Sequence, residues 1–252
     1  MRVGCCVSDL ARLDVADRAG ADYAELPVAS WVMGAAASDM AALDGRRLRP
    51  LAANVLLPSD LRLVGPGADP GRIDAYVADA IGRLARLGVR ILVFGGGASR
   101  AIPEGLSRAD ALDDLERFLQ KAGARARDAG MTLVLEPLRS AETNVWTSVR
   151  EAGAFLRERD LRCVRLLADL YHMREDGEGM DAIAEFGDLL AHVHVAGPDR
   201  RPPRADSELR AFLDTLQAAG YTGDCSIECR WEDFAAEVGP AVEAVRAAAW
   251  GE

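Results

Sequence analysis

Helical stretches of this chain repeatedly end in a glycine that is followed by a short apolar run. The pattern occurs at Gly20, Gly88, Gly130 and Gly220, and the runs that follow read ADYAEL, VRILVF, MTLVLE and YTGDCSIE. Because a glycine just past a helix accepts the left-handed backbone that ends it, these positions indicate helix-to-strand junctions. With weaker members included, the sequence predicts eight strands near residues 2–7, 22–26, 51–55, 89–94, 131–136, 162–168, 189–195 and 224–228.

Helical patterns, with apolar residues three and four positions apart, lie between these strands. The clearest patterns cover residues 73–84 and 112–119. Strands that alternate with helices pair in parallel, and strands that are apolar throughout are covered on both faces. Eight such units, with no Pro-rich or Gly-rich linker between them, predict a single-domain (β/α)8 TIM barrel over residues 1–252. An open, doubly wound sheet is the alternative.

Charge and composition disfavour several classes of partner. The chain has 40 acidic and 30 basic residues, a net charge of −10, and such a surface repels phosphate backbones, so no nucleic-acid partner is predicted. The apolar run at the N-terminus is too short for a secretory signal, and no run approaches the roughly 20 residues of a membrane span. The five cysteines form no CxxC pair and are interpreted as reduced thiols, not zinc ligands. These features predict a cytoplasmic protein without a membrane partner.

Four polar residues stand at the far ends of four successive apolar runs. They are Glu136, Asp169, His194 and Glu228, separated by 33, 25 and 34 residues along the chain. In a barrel the carboxyl ends of the strands surround the active site, so these side chains are expected to converge there. One such residue could simply solvate the chain where it leaves the core. Three carboxylates brought together need a cation or protons, so the four predict a divalent-metal site.

Oxygen ligands with a single imidazole favour Mn²⁺, with Mg²⁺ or Co²⁺ also suitable, over structural Zn²⁺. These ions take about six ligands, so two positions would remain for adjacent substrate oxygens such as those of a ketose. The metal would then polarise the carbonyl and stabilise an enediolate. Glu136 and Glu228 are predicted to act as the catalytic acid/base pair, one removing a proton and the other returning it to the opposite face.

Several short motifs resemble one known family. They are LEPL (135–138), ETN (142–144), ADLYHM (168–173), HVH (192–194), PDRRPP (198–203) and SIEC (226–229). Together they resemble the sugar phosphate isomerase/epimerase family of the xylose isomerase-like TIM-barrel superfamily, which includes ketose 3-epimerases of the D-tagatose 3-epimerase type and hydroxypyruvate isomerase. The resemblance spans roughly the whole chain and is sharp from about residue 130 onward. It implies a TIM barrel with the same four metal ligands and the same acid/base pair.

The resemblance also implies which residues bind substrate. His172 corresponds to a substrate-binding histidine, Arg200 to a clamp on a substrate oxygen, and Glu142 to a contact with a terminal hydroxyl. One departure weakens the transfer of substrate preference, since many relatives carry Asn-Arg where this chain has Arg139 and Ser140.

Other residues support the site less directly. His192 shares strand parity with His194 and is predicted to be structural, one layer deeper, where it could orient a ligand. Glu25 ends the second predicted strand. Trp31, Trp146 and Trp231 lie just beyond strand ends, where they could stack on a sugar or pack the barrel rim. The glycine run at 95–97 lacks the Lys-Ser/Thr of a phosphate-binding loop and predicts a tight turn near the ligand.

These features predict a divalent-metal-dependent isomerase or epimerase of a ketose or small keto-sugar. The alternative is a dehydratase or lyase that acts on a keto-sugar or keto-glycoside with the same site. A repair endonuclease of the endonuclease IV type needs several histidines, whereas this chain has three. A non-catalytic barrel would not need all four ligand candidates. The predicted partner is a small sugar, and the resemblance also allows a homo-oligomer.

Overall fold

The computed structural model describes residues 1–250 and contains a closed barrel of eight parallel strands. Each strand pairs with the next along the chain, and the eighth pairs with the first. The strands are β1 (Val3–Cys6), β2 (Tyr23–Pro27), β3 (Pro50–Asn54), β4 (Ile91–Phe94), β5 (Thr132–Leu135), β6 (Val164–Asp169), β7 (Leu190–Val195) and β8 (Asp224–Ile227). Every strand begins and ends within two residues of its predicted bounds. The predicted (β/α)8 barrel is therefore confirmed, and the open sheet is wrong.

Helices follow the strands and surround the barrel. They are α1 (Leu10–Arg18), α2 (Ala37–Ala41), α3 (Pro70–Leu87), α4 (Gly97–Arg100), α5 (Arg108–Asp128), α6 (Val149–Glu158), α7 (Leu170–Glu175), α8 (Asp181–Phe186), α9 (Ser207–Ala218) and α10 (Phe234–Trp250). Between β2 and β3 the chain has only the short α2 and a π turn at Val28–Val32, so the second unit lacks a full-length helix. Within residues 1–250, no helix is both long enough and apolar enough to cross a membrane.

Local sequence signals explain where the long helices start and stop, as α3 illustrates. The Asp69 side chain accepts a hydrogen bond from the Arg72 N–H and caps the helix, and Pro70 occupies its first turn, where no N–H is needed. The helix ends at Gly88, whose φ of 77° is left-handed. The other three predicted junction glycines also have positive φ. The glycine pattern in the sequence therefore places the turns that return the chain to the barrel.

The apolar core has two parts. The larger part lies between the strands and the helices, and it includes alternate strand residues such as Leu133 and Leu166. The smaller part consists of Val93, Val134 and Leu167. Because alternate residues of a strand share a face, Val134 and Leu167 point to the same side as Glu136 and Asp169, two positions further on. Apolar side chains thus form a floor below the carboxyl ends of β4, β5 and β6.

Candidate metal centre

The four predicted ligand residues converge at the carboxyl end of the barrel. Glu136 directly follows β5, Asp169 ends β6, His194 lies near the end of β7, and Glu228 directly follows β8. Asp169 and His194 are paired residues in the register of β6 and β7. One oxygen or nitrogen atom from each of the four lies within 4.8 Å of those from the other three. The barrel register therefore gathers four groups that are far apart in sequence.

His194 Nδ1 faces all three carboxylates. It lies 3.0 Å from Glu136 Oε1, 3.8 Å from Glu228 Oε2 and 3.9 Å from Asp169 Oδ2. The His194 and Asp169 side chains are buried, and Glu228, at 16% exposed, is the most accessible of the four. These four residues, hereafter the nest, form a buried cluster of three carboxylates and one imidazole that opens towards solvent on the side of Glu228.

The surroundings of the two Asp169 carboxylate oxygens show that the four residues of the nest fit a cation. Oδ1 accepts hydrogen bonds from the backbone N–H groups of Tyr171, at 2.7 Å, and His172, at 3.4 Å. Oδ2 is buried and has no hydrogen-bond partner among the described residues. A buried carboxylate oxygen without a partner is costly, and a divalent cation beside it would remove that cost. Three carboxylates with one imidazole form a donor set suited to Mn²⁺ or Mg²⁺.

Burial and the neighbouring charges shift the pKa values of the two glutamates of the nest in opposite directions. Burial raises the pKa of Glu136 above its usual value. Burial also opposes ionisation of Glu228, but the positive charges of His194 and Arg200 outweigh it and lower the pKa of Glu228. The pKa of His194 is raised because Glu25 and Glu136 outweigh the effect of burial. In the protein alone, the imidazole thus offsets part of the acidic charge.

Two further residues hold members of the nest, and the sequence had singled out only one of them. Glu25, on β2, is fully buried, and its Oε1 atom lies 2.9 Å from His194 Nε2. Asn54, the last residue of β3, donates from Nδ2 to Glu228 Oε1 at 2.8 Å. Asn54 ends its strand, so the rule that identified the four ligand candidates also applies to it, whereas Glu25 lies in the middle of β2. His192 lies one layer below His194, as its parity predicted, and contacts Glu25.

The three predicted substrate-binding residues lie close to the nest, Arg200 and Glu142 on its open side and His172 buried beside Asp169. Arg200 forms an ion pair with Glu228 Oε2, and its Nη1 lies 3.9 Å from Glu142 Oε1. His172 is buried, and its Nδ1 accepts a hydrogen bond from the Arg139 N–H at 3.2 Å. His172 Nε2 has no hydrogen-bond partner among the described residues and lies 3.8 Å from Asp169 Oδ2.

A cavity of about 550 Å³ adjoins the nest. Glu136, Glu142, Arg200 and Glu228 line one side of it. The rest of the lining combines small residues from the segments after β2, β3 and β4 with four larger apolar residues: Ala29, Ser30, Ser59, Gly95, Gly96, Gly97, Ala98 and Ser99, and Val55, Leu57, Pro58 and Leu138. The volume falls within the range of about 300–1,000 Å³ that is usual for small-molecule sites. The acids and the arginine therefore border a space that a small molecule can enter.

The glycine run after β4 allows the chain to approach Glu136 closely. A Cβ atom on Gly95 would lie 1.8 Å from Glu136 Oε2, a distance that no side chain could tolerate. Trp146, by contrast, is buried and packs against Phe155 with ring centroids 5.0 Å apart, so it supports the loop and does not line the cavity. Trp31 and Trp231 also pack against the main core. The clusters of potential metal ligands found within residues 1–250 include no cysteine.

Known proteins share the fold of this chain. The family model described as xylose isomerase-like TIM barrel matches residues 13–250. The chain belongs to this family. The family resemblance drawn from the sequence motifs is therefore confirmed, and the barrel is the one that members of the xylose isomerase-like family share.

Curated relatives of this xylose isomerase-like barrel are sugar epimerases. The chain is 30% identical over 114 residues to the 3-dehydro-D-guloside 4-epimerase of Escherichia coli, a segment that is 44% of this chain and 42% of that protein. It is 36% identical over 80 residues to the D-psicose 3-epimerase of Agrobacterium fabrum, a segment that is 31% of this chain and 27% of that protein. The matched segments thus span less than half the length of either relative.

Solved structures match over nearly the full length. A D-allulose 3-epimerase from Methylomonas sp. superimposes with a TM-score of 0.85 at 22% identity, covering 98% of both chains. A 3-keto-D-glucoside 4-epimerase from E. coli superimposes with a TM-score of 0.80 at 21% identity, covering 98% of this chain and 99% of that one. At these identities the superpositions establish the shared barrel fold.

Proposed function

We propose that this barrel is a divalent-metal-dependent epimerase or isomerase that acts beside the carbonyl group of a ketose or small keto-sugar. The observation that carries the proposal is the convergence of Glu136, Asp169, His194 and Glu228 beside a cavity at the barrel mouth. The names of the relatives support it, because a psicose 3-epimerase and a 3-dehydro-guloside 4-epimerase both invert a carbon next to a ketone. The shared chemistry is proton transfer at that carbon.

Glu136, Asp169, His194 and Glu228 would hold the cation, for which Mn²⁺ is the best candidate. When bound, a divalent cation would polarise the substrate carbonyl and stabilise the enediolate charge. Glu136 and Glu228, which follow β5 and β8, approach the cavity from different strands. One of them would remove the proton from the carbon beside the carbonyl, and the other would deliver a proton to the opposite face, which inverts that carbon.

Three residues close to the nest would hold the substrate. Arg200 borders both Glu228 and Glu142, so its guanidinium is placed to donate to a sugar oxygen near the reacting carbon. The unpartnered Nε2 of His172 is the second proposed contact. Glu142, further out, would accept a hydrogen bond from a terminal hydroxyl.

We further propose that the sugar is unphosphorylated. Arg200 is the one cationic side chain among the described residues that line the cavity, and it is already paired with Glu228. Arg139, nearby, is paired with Glu142 and Glu175 at 2.8 and 2.9 Å. Apart from the proposed metal ion, a phosphate group would therefore meet three carboxylates and no unpaired cationic side chain of the cavity lining, whereas a neutral sugar avoids that repulsion.

The test is a panel of ketoses and 3-keto-sugars, each with its phosphate ester where one exists, incubated in D₂O with EDTA-treated protein. Adding Mn²⁺ should give deuterium at the carbon beside the carbonyl and an epimer of an unphosphorylated sugar. Glu136→Gln and Glu228→Gln should each lower kcat by on the order of 10²–10⁴-fold. Glu243→Gln, an exposed position on α10, is the control.

Three other outcomes would change the conclusion. An eliminated product in place of an epimer would favour the dehydratase or lyase alternative. Turnover that persists in EDTA would contradict the metal dependence. Preference for a phosphate ester would contradict the proposal that the substrate is neutral.

A further inference from the structure

A chain of buried polar groups lies beneath the candidate metal centre. From its geometry we infer that Glu25 is a positioning residue, which orients His194 so that Nδ1 is the atom that binds the cation. The inference rests on the proposed metal-dependent function and adds to it a residue that would act through a ligand without touching metal or substrate.

The two ring nitrogens of His194 face different groups. Nε2 lies 2.9 Å from Glu25 Oε1, whereas Nδ1 lies 3.0 to 3.9 Å from the oxygens of the three carboxylates of the nest. A neutral imidazole has one N–H and one lone pair, and an ionised carboxylate can only accept. In the protein alone, Nε2 faces Glu25 and Nδ1 faces Glu136 at 3.0 Å, so a protonated ring could donate to both. A cation in the nest would take the place of the proton on Nδ1, so the N–H that remains is the one on Nε2 that donates to Glu25. This tautomer leaves the Nδ1 lone pair directed at the place where a cation would lie.

Glu25 is itself held in one position. Its second oxygen, Oε2, lies 2.9 Å from His192 Nε2, and that nitrogen lies 3.2 Å from Ser226 Oγ. Ser226 Oγ lies in turn 2.7 Å from the Tyr23 hydroxyl. Because both carboxylate oxygens are engaged, Glu25 cannot rotate away from His194 without losing the contact with His192.

Packing alone does not account for a carboxylate at this position. Glu25 is fully buried, and within residues 1–250 its polar side-chain contacts are the two histidines and no lysine or arginine. Burying an acid costs far more than burying an aliphatic side chain of similar size. A carboxylate at this position would fix the orientation of the His194 ring and make Nδ1 a stronger metal ligand, which explains why an acid is placed here.

Glu25, His192 and His194 could also be read as a second metal site, because their donor atoms lie within 4.8 Å of one another. The distances argue for hydrogen bonds instead. Each histidine nitrogen is 2.9 Å from its Glu25 oxygen, which is the normal length of an N–H···O hydrogen bond. These contacts are complete without an ion.

The test compares Mn²⁺ affinity, measured by calorimetry and by EPR of free Mn²⁺, in the wild type and two variants. Glu25→Gln keeps the shape and can still accept from Nε2–H, but it removes the charge, so we expect about 10-fold weaker binding. Glu25→Ala removes the contact and should weaken binding by about 100-fold. Glu178→Gln is the matched control. Its partly buried carboxylate accepts from the N–H groups of Val149 and Arg150, away from the nest, so its Mn²⁺ affinity should equal that of the wild type.

A second measurement needs no variant of Glu25. Because the chain has three histidines, their ring nitrogens can be resolved by ¹⁵N NMR of ¹⁵N-histidine-labelled protein loaded with diamagnetic Mg²⁺. His194 should carry its proton on Nε2. A proton on Nδ1, or wild-type Mn²⁺ affinity in both Glu25 variants, would overturn the inference while leaving the proposed function in place. A wild-type protein that binds no divalent metal would overturn both.

Discussion

Asp169 uses its two carboxylate oxygens for different tasks. Oδ1 caps the first turn of α7 by accepting from Tyr171 and His172, and Oδ2 is directed at His194 Nδ1. The cap fixes the rotation of the carboxylate, because turning the group would break the hydrogen bonds at the helix start. A residue that ends a strand and begins a helix therefore presents one oxygen to the nest in a defined direction.

This double role separates the effects of two substitutions. Asp169→Asn keeps an oxygen for the cap and removes one buried negative charge. The free energy of unfolding of the metal-free variant should therefore equal or exceed that of the wild type. Asp169→Ala loses the cap and should lower the free energy of unfolding by about 1 kcal/mol. Both variants should bind Mn²⁺ over about 100-fold more weakly than the wild type. This loss is larger than the one expected for a positioning residue such as Glu25, because Asp169 would contact the metal directly.

Urea titration of the metal-free Asp169 variants would measure their free energies of unfolding, and calorimetry would measure their Mn²⁺ affinities. Wild-type Mn²⁺ affinity in Asp169→Asn would contradict the assignment of Oδ2 as a ligand.

At the scale of elements, the loops after β4 and β5 depend on each other. Gly95 leaves room for the Glu136 carboxylate, and Arg100, on α4, donates from Nη1 to the Glu136 carbonyl oxygen at 2.9 Å. The guanidinium carbon of Arg100 also lies 5.6 Å from the ring centroids of Phe94 and Trp146. The chain after β4 thus sets both the backbone and the side chain of Glu136.

Gly95→Ala should displace the Glu136 carboxylate, because the added methyl group would overlap Oε2. We expect weaker Mn²⁺ binding and a loss of turnover with little change in far-UV circular dichroism. Gly82→Ala is the control, since a Cβ there meets no atom within 4 Å and Gly82 lies inside α3. It should raise the free energy of unfolding by up to about 1 kcal/mol and leave Mn²⁺ affinity unchanged. Equal Mn²⁺ affinities in the two variants would contradict the steric argument.

Arg100 is fully buried, and burial lowers its pKa to about 10, which leaves it charged at neutral pH. Its hydrogen bonds go to backbone carbonyl oxygens, so Arg100→Leu would remove the side-chain donor to the Glu136 oxygen and leave the Trp146 oxygen with the Leu138 N–H alone. We expect the free energy of unfolding to fall by about 3 kcal/mol, measured by urea titration. Arg108→Leu, at an exposed arginine that donates to the Asn144 carbonyl oxygen, is the control and should cost less than about 1 kcal/mol. Similar losses in the two variants would show that the buried contacts of Arg100 are not special.

At the scale of the whole molecule, the barrel tolerates an acidic nest because the rest of the fold is well packed. The interior has an apolar floor at Val93, Val134 and Leu167, and continuous apolar packing surrounds the strands. Three carboxylates within a few ångströms still repel one another, and the charges of His194 and Arg200 offset this repulsion in part. Cation binding should therefore stabilise the entire domain.

Removing the cation should lower the melting temperature. At a free Mn²⁺ concentration 100 times the dissociation constant, binding adds about 2.7 kcal/mol to the stability of the native state. For a domain of this size that corresponds to roughly 5–10 °C, which calorimetry with and without EDTA would measure. In Asp169→Asn the difference should vanish, and a melting temperature that EDTA leaves unchanged in the wild type would contradict the proposed site.

The sequence alone determined the eight strands and the positions of the ligand candidates, because both follow from short-range patterns. Glycine junctions, apolar runs and a polar residue at the end of each run are visible within a few residues, and parallel strands necessarily end on the same side of the barrel. The contacts that orient those ligands could not be predicted in this way. Glu25 reaches His194 across 169 residues of sequence, and Asn54 reaches Glu228 across 174. Only closure of the barrel decides which strand-end side chains meet, since a hydrogen bond depends on strand register and side-chain rotation, which no local pattern specifies.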